Sequence, residues 1–341
     1  MTDFQTILGF EDVWRPPVRH RSLQAPAILS PRGPATDTRA RLARIANRAP
    51  EVMVKVTGRT RDAGNLRAHL DYISRNGKLQ MEDRDGGLIT GGRAVKELAK
   101  DWSNLAMADS RRRTNTPISL SVVLSMPRDT DPTAVRDAAR AFARATFAER
   151  FDYVFALHTD AQHPHVHLAI RAFGADGERL NPKKADLERW RQIFAQAMRD
   201  RGVEAEATPR RARGVTRKAE RTPLRRLRER HEAGQGEPAR VRRAAYRDAA
   251  RVAFRGLAER TPWETQLLQT QGKVRGLYLA QARLLCQSAD PADRALGAKV
   301  EGFVRTMPAP DTQRLALARE LRQANAALGR ERPRDAKARE R

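Results

Sequence analysis

The chain has 341 residues and a formal charge of +25, from 66 Lys and Arg against 41 Asp and Glu. No apolar run is long enough to cross a bilayer as a helix, and a charge surplus of this size calls for a polyanionic partner, nucleic acid before an acidic membrane. With one cysteine, Cys286, no internal disulfide can form, and the opening MTDFQTILGFEDVW lacks the basic-then-apolar order of a signal peptide, so a soluble, cytoplasmic protein is expected.

Residues 1–50 carry proline interruptions and a basic stretch, RARLARIANR, and are expected to be a flexible arm with a short helix near its end. EVMVKVTG (51–58) alternates apolar and polar residues and closes on glycine, as a strand does. In GNLRAHLDYISRNG (64–77), Leu66, Leu70 and Ile73 form one helical stripe and Asn76-Gly77 is a C-terminal stop. A polar loop with two glycine pairs follows, then an amphipathic helix over 95–107. PISLSVVLSMP (117–127) is rich in β-branched residues and predicts a strand, and 131–150 predicts a helix with Asp131 as N-cap and Pro132 behind it. FDYVFALH (151–158) and HVHLAIRAF (165–173) form a candidate antiparallel hairpin, and 184–202 a helix ending at Gly202.

Strands and helices therefore mix without parallel alternation, and the expected class is α+β: one antiparallel sheet with helices packed on it. The expected organisation is a flexible arm (1–50), an α+β domain (51–205), a basic linker (206–240), a helical region (241–330) and a disordered tail (331–341). The linker includes TPRRARGVTRKAERTPLRRLRER (208–230), with ten Lys or Arg against two Glu. Such a density suits phosphate contact, and Arg210, Arg211, Arg213, Arg217 and Lys218 are its candidate DNA ligands.

HTDAQHPHVH (158–167) places four of seven histidines within ten residues. Side chains two apart on a strand share a face, so His165 and His167 point the same way, and His158 can approach them across the hairpin. Three neutral imidazoles on one face make a divalent-metal site that leaves positions open for a substrate oxygen. Asp160 is placed to accept an N–H from a ligand imidazole, and His163, in the loop, is an outer group or a DNA contact. All-imidazole sites accept Mn, Zn, Co or Ni, with Mg less suited to nitrogen ligands.

Of four tyrosines, Tyr153 falls in an apolar strand and Tyr246 and Tyr278 in C-terminal helices. Tyr72 lies about 100–120° from the Leu66/Leu70/Ile73 stripe, taking about 100° per residue, so it escapes full burial. The polar exit after it, with Ser74 and Arg75, can contact a DNA backbone.

On these residues the sequence resembles the conjugative relaxases, or mobilisation nucleases, of the HUH endonuclease superfamily, in the branch that holds the T-DNA border endonuclease. HLDYISRNG (69–77) is similar to the family's first motif, which carries a nucleophilic tyrosine. SVVLSMP (121–127) is similar to the second, whose serine, here Ser125, helps hold DNA near the nick. HTDAQHPHVHL (158–168) is similar to the third, whose first histidine and final pair bind a metal. The resemblance covers roughly residues 51–205, and the arm before the tyrosine departs from the family.

The resemblance implies a transesterification in which Tyr72 attacks a phosphodiester of single-stranded DNA at an origin of transfer, becomes linked to the 5′ phosphate and releases a 3′ hydroxyl. It implies a divalent ion (Mg, Mn or Zn) on His158, His165 and His167, with Asp160 or His163 as proton acceptor. It further implies accessory mobilisation proteins and a type IV secretion coupling protein as partners, and export as a covalent DNA complex. A rolling-circle replication initiator or transposase shares these motifs, although the phosphate loop GxxxxGK[ST] of an added helicase module is missing. A non-catalytic DNA-binding protein with a structural metal is the reading from another class.

Overall fold

The computed structural model describes residues 4–15, 35–217, 220, 222–254 and 261–331. The chain divides into two compact units, one of residues 16–208 and one of residues 1–15 with 209–341.

The first unit begins with α1 (Ala35–Ala46), whose Leu42 and Ile45 are buried. Arg44 of this helix donates to the buried Glu206 carboxylate (2.9 Å), and Val52 N–H donates to the Glu206 carbonyl (2.9 Å), so the helix is tied to the end of the unit. Part of the segment read as an arm is thus built into the domain. Residues 16–34 lie outside the described residues.

β1 (Met53–Thr60) continues past Gly58, where a strand end was expected, because a register shift between Val56 and Gly58 lets pairing resume. α2 (Ala63–Ile73) is capped by Asp62, which accepts from Asn65 N–H, and buries Leu66, Leu70 and Ile73 as the spacing predicts. The stretch read as a polar loop holds β2 (Met81–Asp83) and β3 (Leu88–Ile89), too short to show an alternation but paired to each other and, through Glu82, to the next sheet strand at Phe155. α3 is Gly91–Ala108, β4 Ser119–Ser125 and α4 Pro132–Phe147, with Asp131 accepting from Thr133 and Ala134 N–H. β5 (Tyr153–His158) and β6 (His165–Arg171) make the expected hairpin, and α5 spans Lys184–Arg199.

The six strands form one antiparallel sheet in the order β1-β4-β6-β5-β2-β3. Alternation along each strand sends Val122, Leu124, Val166, Leu168 and Phe155 to one face, where they pack on Phe142 and Phe147 of α4 and Trp190 and Phe194 of α5. Val154, Ala156 and Ala169 face the other way, against Leu66, Leu70 and Ile73 of α2 and Trp102 of α3. Each fully buried Leu or Ile contributes about 1.5–3 kcal/mol, so α2 is fixed to the sheet by one stripe while its other side stays open. The fold is the α+β class expected from the sequence.

The second unit is helical: α6 (Thr222–Glu232), α7 (Arg240–Phe254), α8 (Pro262–Cys286), α9 (Pro291–Arg305) and α10 (Gln313–Glu331). α8 packs with α9, and α7 with α10 around Ala249, Val252 and Ala318. The 3-10 turn Phe10–Trp14 belongs here. Trp14 Nε1 donates to the Tyr278 hydroxyl (2.8 Å), and Phe10 meets the Tyr278 ring edge-on at 5.5 Å. Residues 4–15, read as part of the arm, are therefore core of the helical unit: proline content near by does not reveal that two aromatic side chains find a partner more than 260 residues away.

Candidate functional site

Three imidazoles meet where β5 and β6 leave the sheet. His158 and His165 are direct cross-strand partners, and His167 stands two residues further on the same face. Their ring centroids are 4.5 Å (His158–His167), 5.0 Å (His165–His167) and 5.3 Å (His158–His165) apart. One ligand nitrogen from each can be chosen so that all lie within 4.8 Å of one another.

The hydrogen bonds decide which nitrogens carry lone pairs. A carbonyl oxygen only accepts. His158 Nε2–H therefore donates to the Ile73 carbonyl (2.7 Å), leaving Nδ1 basic, and His165 Nδ1–H donates to the His163 carbonyl (3.0 Å), leaving Nε2 basic. His167 Nε2 is buried and has no hydrogen-bond partner among the described residues. A buried orphan of this kind is costly unless something uses it. Orienting carbonyls behind ligand imidazoles are the usual support of a metal site, so the donor set fits a divalent cation.

Electrostatics agree. Burial, then His158 and His165, push the His167 imidazole down to about 3. Burial chiefly lowers His158 as well, the Ile73 hydrogen bond opposing it and Arg75 adding to it. Both rings are thus neutral at physiological pH, the form that ligates.

Tyr72 comes from the last turn of α2. Because the helix buries the Leu66/Leu70/Ile73 stripe, the Tyr72 ring is left 53% exposed, yet it lies 5.4 Å from His167 and 6.2 Å from His158 by ring centroids. Residues 86 to 95 positions apart in sequence are thereby brought together. Tyr153 and Tyr278 are buried in the two cores, and Tyr246 sits beneath Arg242 in the helical unit.

Beyond Ser74 the chain makes a left-handed turn, with φ of 51° at Arg75, 58° at Asn76 and 81° at Gly77. It is held by Asn76 N–H to the Asp71 carbonyl (2.7 Å) and Gly77 N–H to Ser74 Oγ (3.0 Å). The turn lays the Arg75 guanidinium 5.2 Å from the Tyr72 ring centre, with Nη2 donating to His158 Nδ1 (3.1 Å) and ion-paired to Asp160.

Asp160 differs from its expected place. It bonds Arg75, and the imidazole N–H groups are taken by backbone carbonyls instead, because the hairpin loop carries its carboxylate outward, 58% exposed. Its pKa, nudged up by burial, is held below the ordinary carboxylate value by Arg75 and His158. The His163 side chain is exposed and only its carbonyl reaches the site. Ser125, expected to touch DNA, is 6% exposed and donates to the Pro164 carbonyl (3.2 Å), pinning the hairpin loop.

The arginines of the basic segment lie in the helical unit. Arg211 donates to the Asp12 carbonyl (2.8 Å) and to that of Arg15, so it is a structural clasp. Arg210 is exposed, Arg213 half-buried, and Arg217 is 3.8 Å from Glu320. Lys218 lies outside the described residues.

Two features escaped the sequence reading. His69, one helical turn before Tyr72, turns its Nδ1 to within 3.4 Å of Ser121 Oγ and adds to the field that keeps His167 neutral. The i, i+3 spacing to Tyr72 was the available signal. On β1, Lys55 and Met53 stand in register, across β4, with His167 and His165, and both are exposed. A cation and an apolar side chain thus flank the imidazoles at the sheet edge.

The antiparallel sheet thus presents a histidine triad beneath an exposed tyrosine. Residues 72–203, starting on Tyr72 itself, match the family model described as Relaxase: MobA/VirD2-like, nuclease domain. The chain is 25% identical over 185 residues to the T-DNA border endonuclease VirD2 of Rhizobium radiobacter, covering 48% of this chain and 43% of that protein. It is 25% identical over 138 residues to a 43 kDa relaxation protein of Salmonella typhimurium, covering 37% of this chain and 36% of that one. The chain spans less than half the length of these curated relatives. A solved structure described as the MobM relaxase domain bound to 26-nucleotide oriT DNA aligns with 50% of this chain and 96% of its own, at 17% identity and a TM-score of 0.36.

Proposed function

We propose that this protein nicks and rejoins one DNA strand at an origin of transfer, through a covalent link between Tyr72 and the 5′ phosphate. The observation that carries this reading is the exposed Tyr72 ring 5.4 Å from His167, in a triad where one ligand nitrogen from each ring lies within 4.8 Å of the others. The family match of the segment 72–203 supports it.

A phenol is a weak nucleophile until its proton is removed or the nascent charge is offset. Arg75 lies over the ring and stabilises negative charge on the phenolate oxygen. We assign the proton to Asp160, ionised and beside that guanidinium, over His163, whose side chain faces solvent. His158, His165 and His167 would hold a divalent cation, which supplies Lewis-acid polarisation of the scissile phosphate. Attack by Tyr72 forms a phosphotyrosine diester and breaks the P–O3′ bond, so the 3′ hydroxyl leaves with a proton. The new diester keeps the energy of the old one, and the reverse attack reseals the strand without ATP. Lys55, Met53 and the rest of the β1 edge form the approach for single-stranded DNA, by phosphate contact and base packing.

The same reading makes single-stranded origin DNA the substrate. It assigns accessory mobilisation proteins and a secretion coupling protein to the helical unit, and action in the cytoplasm with export of the covalent complex. Among the described residues no helix is long and apolar enough to cross a membrane.

The test is incubation of the full chain and Mn²⁺ with an end-labelled single-stranded origin oligonucleotide, resolved on a denaturing gel with adduct mapping. A protein–DNA adduct is expected with the wild type and none with Tyr72→Phe, which should still bind DNA. An undiminished adduct in that variant would remove Tyr72 from its role.

A further inference from the structure

Arg75 touches Tyr72, His158 and Asp160, and one of those contacts conflicts with the others. Since His158 Nε2 is committed to the Ile73 carbonyl, Nδ1 holds the single lone pair this ring can offer. Arg75 Nη2 donates to that lone pair at 3.1 Å. One nitrogen lone pair cannot both accept from a guanidinium and bind a cation. A positive group 3.1 Å from a ligand atom also repels any ion approaching it.

The second partner of Arg75 shows where it goes. Asp160 stands on the outer side of the guanidinium, and its carboxylate is 58% exposed while the arginine side chain is 33% exposed. Exposed ion pairs contribute little to stability, so this pair is a loose tether that tolerates a change of geometry. The backbone is the stiff component. Arg75 and Asn76 hold left-handed φ values that are unfavourable for non-glycine residues, and the turn is secured by the Asp71 carbonyl and by Ser74 Oγ. Strain retained at a site is a mark of function. Here it keeps the side chain over Tyr72 and within reach of both His158 and Asp160.

We propose that Arg75 is a built-in competitor for the cation position, seated on His158 Nδ1 in the metal-free protein and shifted wholly onto Asp160 and the Tyr72 side when a divalent cation enters. The inference rests on the reading of the triad as a cation site. It couples loading of the site to charge placement: the guanidinium that leaves His158 is the one released to face the phenolate and the phosphate. Asp160 sets the balance, because it offers the displaced arginine its alternative partner.

Isothermal titration of the full chain with Mn²⁺ alone, without DNA, tests this. A hydrogen bond from a charged donor must be broken in the wild type for His158 to ligate, so Arg75→Gln should bind Mn²⁺ about tenfold tighter. Asp160→Asn, which strands Arg75 on His158, should bind severalfold weaker, and in the Arg75→Gln background that effect should largely vanish. An Arg75 that merely braces the hairpin predicts the opposite sign, with looser Mn²⁺ binding when it is removed. Unchanged or weaker affinity in Arg75→Gln with native circular dichroism overturns the proposal. If Arg75→Gln does not fold, an Asp160→Asn affinity equal to that of the wild type overturns it. Wild-type protein that gives no more heat than His167→Ala refutes the cation reading itself, a result distinct from both.

Discussion

Gly77 offers a sharp test of how the turn after Tyr72 is built. It sits at φ +81°, and a Cβ added there would lie 2.5 Å from the Gly91 carbonyl carbon, 2.9 Å from Gly92 Cα, and closer still to the Gly92 nitrogen. All three are backbone atoms at the start of α3 and cannot rotate away. Gly86 is the matched control, with φ +87° and nothing within 4 Å of the added carbon. Gly86→Ala should cost only the left-handed penalty, about 1 kcal/mol. Gly77→Ala adds an overpacking cost of roughly 1–3 kcal/mol, for a total of about 3 kcal/mol.

For a unit of this size that difference corresponds to roughly 3 °C for Gly86→Ala and about 10 °C for Gly77→Ala, read as the nuclease-unit transition in scanning calorimetry. Displacing the turn also moves the Ile73 carbonyl, which sets the His158 tautomer, and Arg75. Nicking should therefore fall by at least about tenfold at a temperature where the variant is still folded. Equal stability of the two alanine variants would show that Gly77 is not wedged against α3, and the account of the turn would fail.

Three further outcomes follow from the same structure. His167→Leu removes a buried, unpartnered nitrogen, so the metal-free variant should be at least as stable as the wild type while losing all stabilisation by added Mn²⁺; a large loss of metal-free stability would contradict this. In the helical unit, Glu264 accepts from Thr312 Oγ1 (2.8 Å) and Thr261 N–H (3.1 Å) and pairs with Arg314. Burial works to raise its pKa, but Arg314 and these donors more than offset it and bring it to about 2. A depressed carboxylate stabilises the fold fully above its unfolded value of about 4.5 and loses that contribution as pH falls toward 2. Acid unfolding of this unit should therefore steepen between those limits, and Glu264→Gln should cost about 3 kcal/mol at pH 7 and flatten the acid limb in urea titrations. Trp14→Ala strips the Tyr278 hydroxyl of its donor and opens a cavity, so the helical unit should lose about 3–5 kcal/mol while the nuclease transition stays put; a shift of the nuclease transition instead would reject the assignment of residues 4–15.

Much of this molecule is written in local patterns. The periods of Leu66/Leu70/Ile73 and of the apolar strands are consequences of helix and strand geometry, so the element types and the α+β class follow from them. His165 and His167 share a face because a strand repeats every two residues, and a six-residue turn suffices to bring His158 opposite His165. Tyr72 was legible as a rim residue by the same arithmetic.

What the tertiary structure alone decided depends on partners distant in sequence. The choice between His158 Nδ1 and Nε2 lies with a carbonyl at Ile73, on a helix 85 positions away. Asp160 turned from an imidazole to Arg75 because a left-handed turn, not a helical continuation, follows Ser74. Arg211, one of ten cations in a basic run, is bound to the carbonyls of Asp12 and Arg15. Periodicity records which side of an element is apolar, whereas hydrogen-bond and charge partners are set only when elements far apart in the chain have packed.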